Sequence, residues 1–182
     1  MNADVSNCGQ RISVIGTSGS GKTTLASQIS QCISIPHVEL DALHHEPNWT
    51  EAPTDIFRKR VEQALSSESW VVDGNYSKVR DIVWSRADTV IWLDYTLPVI
   101  MMRLLRRTWR RVVVQEELWS GNRETWRTTF SRDSILLWAL RTYHSKQREY
   151  PILLSKPEHA HLKVVHLRSP KAAEAWLLNL KA

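Results

Sequence analysis

The sequence predicts an α/β fold, a parallel sheet with helices on both faces. Three observations carry that expectation. Short β-rich runs alternate with helical patterns along the chain, the order that builds parallel sheets covered by helices. Gly16-Thr17-Ser18-Gly19-Ser20-Gly21-Lys22-Thr23 matches the pattern GxxxxGK[ST] in full, after a β-rich run and before a helical one. Thr89-Val90-Ile91-Trp92-Leu93 is apolar enough for burial on both faces, as an inner parallel strand requires.

The elements follow in order. Arg11-Ile12-Ser13-Val14-Ile15 is the first strand, and a helix opens over Thr24–Ile29 after the glycine-rich loop. Pro36–Asp41 is a brief second strand ending on a carboxylate. Thr54–Leu65 reads as a helix, with Ile56, Phe57, Val61, Ala64 and Leu65 on one face. Trp70–Gly74 is a third strand stopped by an Asp-Gly turn signal, and Thr89–Asp94 is a fourth. Pro98 opens a long helix to about Val114, and a second runs from about Ser131 to Tyr150. His161–Leu167 is a fifth strand, and Ser169-Pro170 starts the final helix as N-cap and first residue. Ligands of such sheets bind beyond the carboxyl ends of the strands, where the glycine-rich loop, Asp41, Asp73 and Asp94 all fall.

At 182 residues the chain suits one domain over 1–182, with residues 1–9 read as a disordered polar leader. Hydrophobic content of 42% and charged content of 24% are those of a soluble globule. The longest purely apolar run, Ile135–Leu140, is far too short to span a bilayer, and residues 1–10 lack the pattern of a signal peptide. Cys8 and Cys32 give no disulfide framework and read as reduced thiols of a cytoplasmic protein, without a metal or redox role. The net charge of +5 is local. Between Arg103 and Arg148 ten arginines and Lys146 face only Glu116, Glu117, Glu124 and Asp133. Such a cluster suits anions, either nucleotide phosphates or a nucleic-acid backbone, although a solvated helix face accounts for part of it.

The chemistry starts at the loop. Its glycines let successive backbone N–H groups converge on phosphate oxygens, and the helix N-terminus adds partial positive charge. Lys22 can reach the β- and γ-phosphates, and the Thr23 hydroxyl can sit on Mg²⁺. Gly16, Thr17, Ser18, Gly19, Ser20, Gly21, Lys22, Thr23 and the adjoining Thr24 are therefore the expected site of a nucleoside triphosphate such as ATP. Asp73 fits a magnesium-linked carboxylate, with a turn role beside Gly74 as the plainer reading. Asp41 could orient or deprotonate an acceptor hydroxyl, or simply cap the following segment. His44 and His45 are weak as metal ligands and read as lining the acceptor pocket or facing water. Arg123 and Arg127 lie in a polar stretch between two long helices, from which guanidinium groups could close over the triphosphate. Arg103, Arg106, Arg107, Arg110 and Arg111 share one helical sector, some reaching phosphates and others solvating the helix. Trp84, Trp92, Trp138 and Trp176 read as core, whereas Trp49, Trp119 and Trp126 lie in polar loops where a ring can stack or close a lid.

The loop, the third-strand Val-Asp-Gly, the basic stretch and the late Arg168-Ser169-Pro170 turn resemble the adenylate-kinase-type P-loop kinases. Glu39–Leu43, Asp73-Gly74-Asn75-Tyr76, Arg86–Asp94, Gly121-Asn122-Arg123-Glu124 and Asp133–Ala139 more closely resemble the DNA topology modulation (FlaR-like) proteins, over residue 10 to the end. The resemblance implies a P-loop NTPase fold with a five-stranded parallel core, an acceptor-binding segment around 41–68, and a mobile arginine-bearing lid around 115–131. It also implies that Asp73 is the magnesium-linked carboxylate and that Arg168 stands in the turn near adenine. Adenylate kinases carry an arginine after their Asp-Gly that grips a monophosphate acceptor. Here that stretch reads Asn75-Tyr76-Ser77-Lys78, with Lys78 and Arg80 as the nearest substitutes. The lid lacks the cysteine set of zinc-containing lids, so no structural metal is expected there. The expected activity is ATP- and Mg²⁺-dependent phosphoryl transfer to a small acceptor such as a nucleoside or nucleotide. The alternative is a nucleotide-binding regulator or nucleic-acid-associated ATPase affecting DNA topology, which no recognisable DNA-reading element supports.

Overall fold

The computed structural model of the chain describes residues 9–114, 119–121 and 135–181. Arg123, Arg127, Trp126, most of the expected lid and most of the leader lie outside the described residues. Five strands, β1 (Arg11–Gly16), β2 (His37–Glu39), β3 (Trp70–Asp73), β4 (Thr89–Leu93) and β5 (Lys163–Leu167), form one sheet. Their order is β2-β3-β1-β4-β5 and every pairing is parallel. The connecting helices are α1 (Lys22–Ile33), α2 (Leu40–His44), α3 (Thr54–Ala64), α4 (Arg80–Arg86), α5 (Leu97–Val114), α6 (Ile135–Leu154) and α7 (Pro170–Lys181).

Alternation within the strands creates two cores. Val71, Ile91 and Leu93 join Leu25 and Ile29 of α1, Leu104 of α5 and Trp176 of α7 on one face. Their neighbours Val72, Val90 and Trp92 point the other way, onto Phe57 and Val61 of α3 and Val83 and Trp84 of α4. Phe57 and Val61 are fully buried, and each contributes about 1.5–3 kcal/mol of apolar transfer that anchors α3 to the sheet. Trp84, Trp92 and Trp176 are core residues as the sequence suggests, while the Trp138 side chain lies outside the description. Ser169 caps α7 as expected, its hydroxyl accepting the Ala172 N–H at 3.2 Å.

Three boundaries differ from the sequence reading. The second strand ends at Glu39, because Leu40 turns inward against Gly74 and into the core, so Asp41 sits in the first turn of α2. Helix α4 was not legible in the sequence; its Ile82, Val83 and Trp84 are all buried. The second long helix continues past Tyr150 through Pro151 to Leu154, where Leu153 and Leu154 pack on the second core. That burial offsets the backbone hydrogen bond a proline cannot donate.

Candidate functional site

The register of the strands brings the loop and Asp73 together. Val14 pairs with Asp73 across β1 and β3, Glu39 pairs with Asp73 across β2 and β3, and the loop leaves β1 just beyond Val14. Gly21 holds the loop's last position at φ 96°, left-handed backbone in which a glycine avoids strain, and its carbonyl accepts the Leu25 N–H to start α1. The loop closes on itself through Ser20 N–H to Thr17 carbonyl at 3.0 Å. Ser18 and Gly19 form its turn, packed under Leu104.

The buried Ser20 hydroxyl has no hydrogen-bond partner among the described residues, whereas the other key polar groups are held in place. The Lys22 ammonium donates to the Thr17 carbonyl at 3.4 Å. Burial lowers its pKa below the ordinary lysine value, while the negative charges of Asp41 and Asp73 pull it back up. The Thr23 hydroxyl donates to Asp73 Oδ2 at 2.6 Å, and Asp73 is only 4% exposed. The other carboxylate oxygen, Oδ1, lies 3.0 Å from His37 Nε2, which carries the proton when Asp73 is ionised. Asn75 accepts the Gly16 N–H at 3.2 Å and donates its amide to the Gly16 carbonyl, clamping the loop to the end of β3. Arg103 of α5 donates to the Ser20 carbonyl at 2.9 Å and lies over the Tyr95 ring.

On the other side of Asp73, Gly74 at φ 140° lets the backbone approach Leu40 closely, which draws α2 toward β3. Asp41 then meets Tyr76, whose hydroxyl donates to Asp41 Oδ1 at 2.7 Å. Asp41 lies in the first turn of α2, whose N-cap residue is Glu39. Tyr76, His44, Phe57 and His45 pack as a ring cluster with centroids 4.4–5.2 Å apart. His44 is buried rather than facing water, and burial lowers its pKa, so it is neutral. Trp49 lies edge-on to His45, and Trp119 stacks beside it while its indole N–H donates to Glu39 at 3.0 Å. Below this corner Ser13, Leu40, Gly74, Asn75, Tyr76, Arg80, Trp84 and Tyr150 line a narrow cleft.

The structure thus unites Gly16–Lys22, Thr23, Asp73 and Asp41 in one crevice. Thr24 follows in α1 and is exposed. Arg168 follows β5, two strands from β1, and is also exposed. Asp94 is not part of the crevice cluster; it accepts from Gln147 at 3.0 Å and pairs with His166 at 2.9 Å across β4 and β5. His37 was missed, because nothing local in the sequence marks a residue whose partner, here Asp73, lies on another element. The fit of a magnesium ion rests on the donors: a hydroxyl and a carboxylate, hard oxygen ligands meeting at one point. Among the described residues no group of three or more His, Cys, Asp or Glu side chains could hold a metal alone. No described helix is long and apolar enough to cross a membrane.

The chain matches no protein-family model and no curated protein sequence. Among solved structures it is similar to a gluconokinase from Sinorhizobium meliloti 1021, at 20% identity and a TM-score of 0.50, over 93% of this chain and 92% of that one. It is also similar to a shikimate kinase from Bacteroides thetaiotaomicron, at 13% identity and a TM-score of 0.51, over 94% of this chain and 96% of that one. At these identities the likeness shows the fold: a P-loop kinase fold built on a five-stranded parallel sheet.

Proposed function

We propose that the chain is an ATP- and Mg²⁺-dependent phosphotransferase that moves the γ-phosphoryl group of ATP to the hydroxyl of a small acceptor. The contact that carries this reading joins the loop hydroxyl of Thr23 to the buried carboxylate of Asp73 at 2.6 Å. Asp41 completes it, close enough for its charge to be felt at Lys22. The loop amides and Lys22 bind the phosphates, and Arg103 braces the loop from behind. Thr23 and Asp73 would hold the magnesium ion, which supplies charge neutralisation at the phosphate oxygens when bound. Asp41, steadied by Tyr76, accepts the acceptor's proton. Arg123 and Arg127 neutralise charge on the transferring group, and Arg168 borders the base.

The finer kinship, adenylate-kinase type and near the DNA topology modulation proteins, draws its support from the Asp73-Gly74-Asn75-Tyr76 and neighbouring motifs alone. No observation among the described residues favours direct action on a nucleic-acid backbone. We read the protein as cytoplasmic, a compartment that supplies the ATP it would use. The test is ADP formation by purified protein with ATP, Mg²⁺ and a panel of nucleosides, nucleotides and sugar acids. At least one acceptor should raise ADP release well above the acceptor-free rate; no acceptor dependence anywhere in the panel would overturn the reading.

A further inference from the structure

We infer that Lys146 of α6 is a second phosphate-binding ammonium, which shares the transferring γ-phosphoryl group with Lys22 and reaches it from the acceptor side of the crevice. This rests on the phosphotransferase reading and adds a catalytic residue to the same site.

Helix α6 carries Lys146 to the rim of the loop. Its next residue, Gln147, donates to Asp94 Oδ1 at 3.0 Å. Asp94 directly follows Leu93, the strand partner of Gly16, where the loop begins. One turn further on, Tyr150 lines the narrow cleft together with Ile15, Asn75 and Tyr76, and Asn75 is the side chain that clamps Gly16. The Lys146 ammonium lies over the Tyr150 ring, 5.5 Å from its centroid. Both anchors of this stretch of α6 therefore border the loop, and the ammonium stands where loop and acceptor corner meet.

Its charge is the one left over. The basic side chains of the acceptor corner are paired: Arg58 with Asp81 at 2.7 Å, Arg60 with Glu46 at 2.9 Å, Lys78 with Glu51 at 3.2 Å and Arg80 with Glu149 at 3.1 Å. Among the described residues Lys146 makes no hydrogen bond or ion pair beyond its contact with the Tyr150 ring. The nearby Glu149 is already held by Arg80. Asp73 is engaged by Thr23 and His37, and Asp41 by Tyr76. Burial lowers the Lys146 pKa; Glu149 opposes that shift, while the positive charges of Lys22 and Arg80 add to it. Lys146 and Lys22 thus lie within reach of each other's charge. A part-buried ammonium beside a like charge is costly, and an anion shared by the two relieves burial and repulsion together. The face of Tyr150 offsets part of that cost but carries no full negative charge.

The anion that Lys22 draws into the crevice is the β,γ end of a triphosphate. In the transfer the acceptor oxygen bonds the γ-phosphorus, the bond to the β–γ bridging oxygen breaks, ADP leaves, and the acceptor's proton passes to Asp41. Negative charge is spread over the three equatorial oxygens meanwhile. Lys146 supplies charge and hydrogen bonds to them and exchanges no proton.

The experiment is calorimetric. With Mg²⁺ present, ADP and the non-hydrolysable β,γ-imido analogue of ATP are titrated into the unmodified protein, Lys146→Met and Lys146→Gln. Both substitutions keep an unbranched stem against Tyr150 and remove the charge. The triphosphate analogue should lose roughly tenfold in affinity in each variant, the worth of one charged hydrogen bond, while ADP stays within about twofold. Lys146→Arg should recover most of the loss. The ratio of the two affinities reads the γ-phosphoryl contact itself, because lost packing weakens both nucleotides alike. An unchanged ratio overturns the inference and leaves the kinase reading in place. An unchanged ratio with a raised KM for an acceptor overturns it equally, and gives the ammonium to an anionic acceptor instead. If the unmodified protein does not bind the triphosphate analogue, both readings fail.

Discussion

The donor half of the crevice and its acceptor half are built by different means. The donor half is mostly backbone: amides of Thr17–Thr23, a carboxylate set by strand register, and side chains that clamp the loop, as Asn75 and Arg103 do. The acceptor half is almost all side chain, drawn from α2, α3, α4 and α6 and held by ring contacts such as His44–Tyr76 at 4.4 Å. Binding a triphosphate is one physical problem with one compact solution, since amides at a helix N-terminus suit any polyphosphate tail. Choosing an acceptor depends on shape and paired charges, and many combinations of side chains serve. The first half should therefore tolerate no loss of its key groups, and the second should change in degree.

Removing Lys22 tests that contrast at its strongest. Lys22→Ala deletes the one loop ammonium, and kcat/KM for ATP should fall by roughly 10³-fold, as for loss of a preorganised donor to transition-state charge. The fold should survive, because among the described residues the ammonium makes a single long bond, 3.4 Å to Thr17. Circular dichroism checks the fold and steady-state ADP release checks the rate. Activity within tenfold of the unmodified protein would mean the donor half is not where the structure puts it.

Next in size is Asp41→Asn, with kcat down by about 10²–10³ if Asp41 is the base. Asparagine can still accept the Tyr76 hydroxyl, so the bond at 2.7 Å is retained in kind. If Asp41 merely positions Tyr76, the variant keeps most of its rate. One substitution thus separates proton acceptance from scaffolding.

His37→Ala should act more gently and on metal dependence. His37 holds Asp73 Oδ1 at 3.0 Å, which leaves Oδ2 directed at Thr23. Losing a group that orients a metal-linked carboxylate typically weakens the metal by about 10–100-fold. Calorimetric titration of ATP with Mn²⁺ or Mg²⁺ reads this directly, without turnover. An unchanged metal affinity with a lower melting temperature would confine His37 to packing.

The same division explains what the sequence revealed. The loop, Asp73-Gly74 and the buried run Thr89–Leu93 declare themselves within a few residues, since each is a local pattern with a local cause. Ser169-Pro170 likewise announces the cap observed at 3.2 Å. Helices α2 and α4 were hidden because five and seven residues span too few turns for a 3.6-residue period to emerge. The strand read to Asp41 stopped at Glu39 because Leu40 finds its place against Gly74, a tertiary contact no pattern encodes. His37–Asp73 and Trp119–Glu39 join residues 36 and 80 positions apart, so their pairing emerges only from the sheet order and the packing around it.

The smallest expected effect is on stability, and it belongs to the acceptor half. His44 is 3% exposed, neither ring nitrogen has a hydrogen-bond partner among the described residues, and burial lowers its pKa. Glu51, 3.6 Å away but itself well exposed, opposes that shift only in part. When the folded state holds a histidine neutral below its ordinary pKa of 6.5, the unfolded chain binds the proton first. Stability from this residue is then whole above about pH 6.5 and drains away as pH falls toward the lower folded value, by at most about 1.4 kcal/mol per unit. His44→Phe keeps a ring against Phe57 and Tyr76 while removing the titration. Urea midpoints at pH 7 and pH 5.5 should drop for the unmodified chain and drop less for the variant. Parallel losses in both would show that the ring cluster carries no titrating burden, and that acid sensitivity arises elsewhere in the fold.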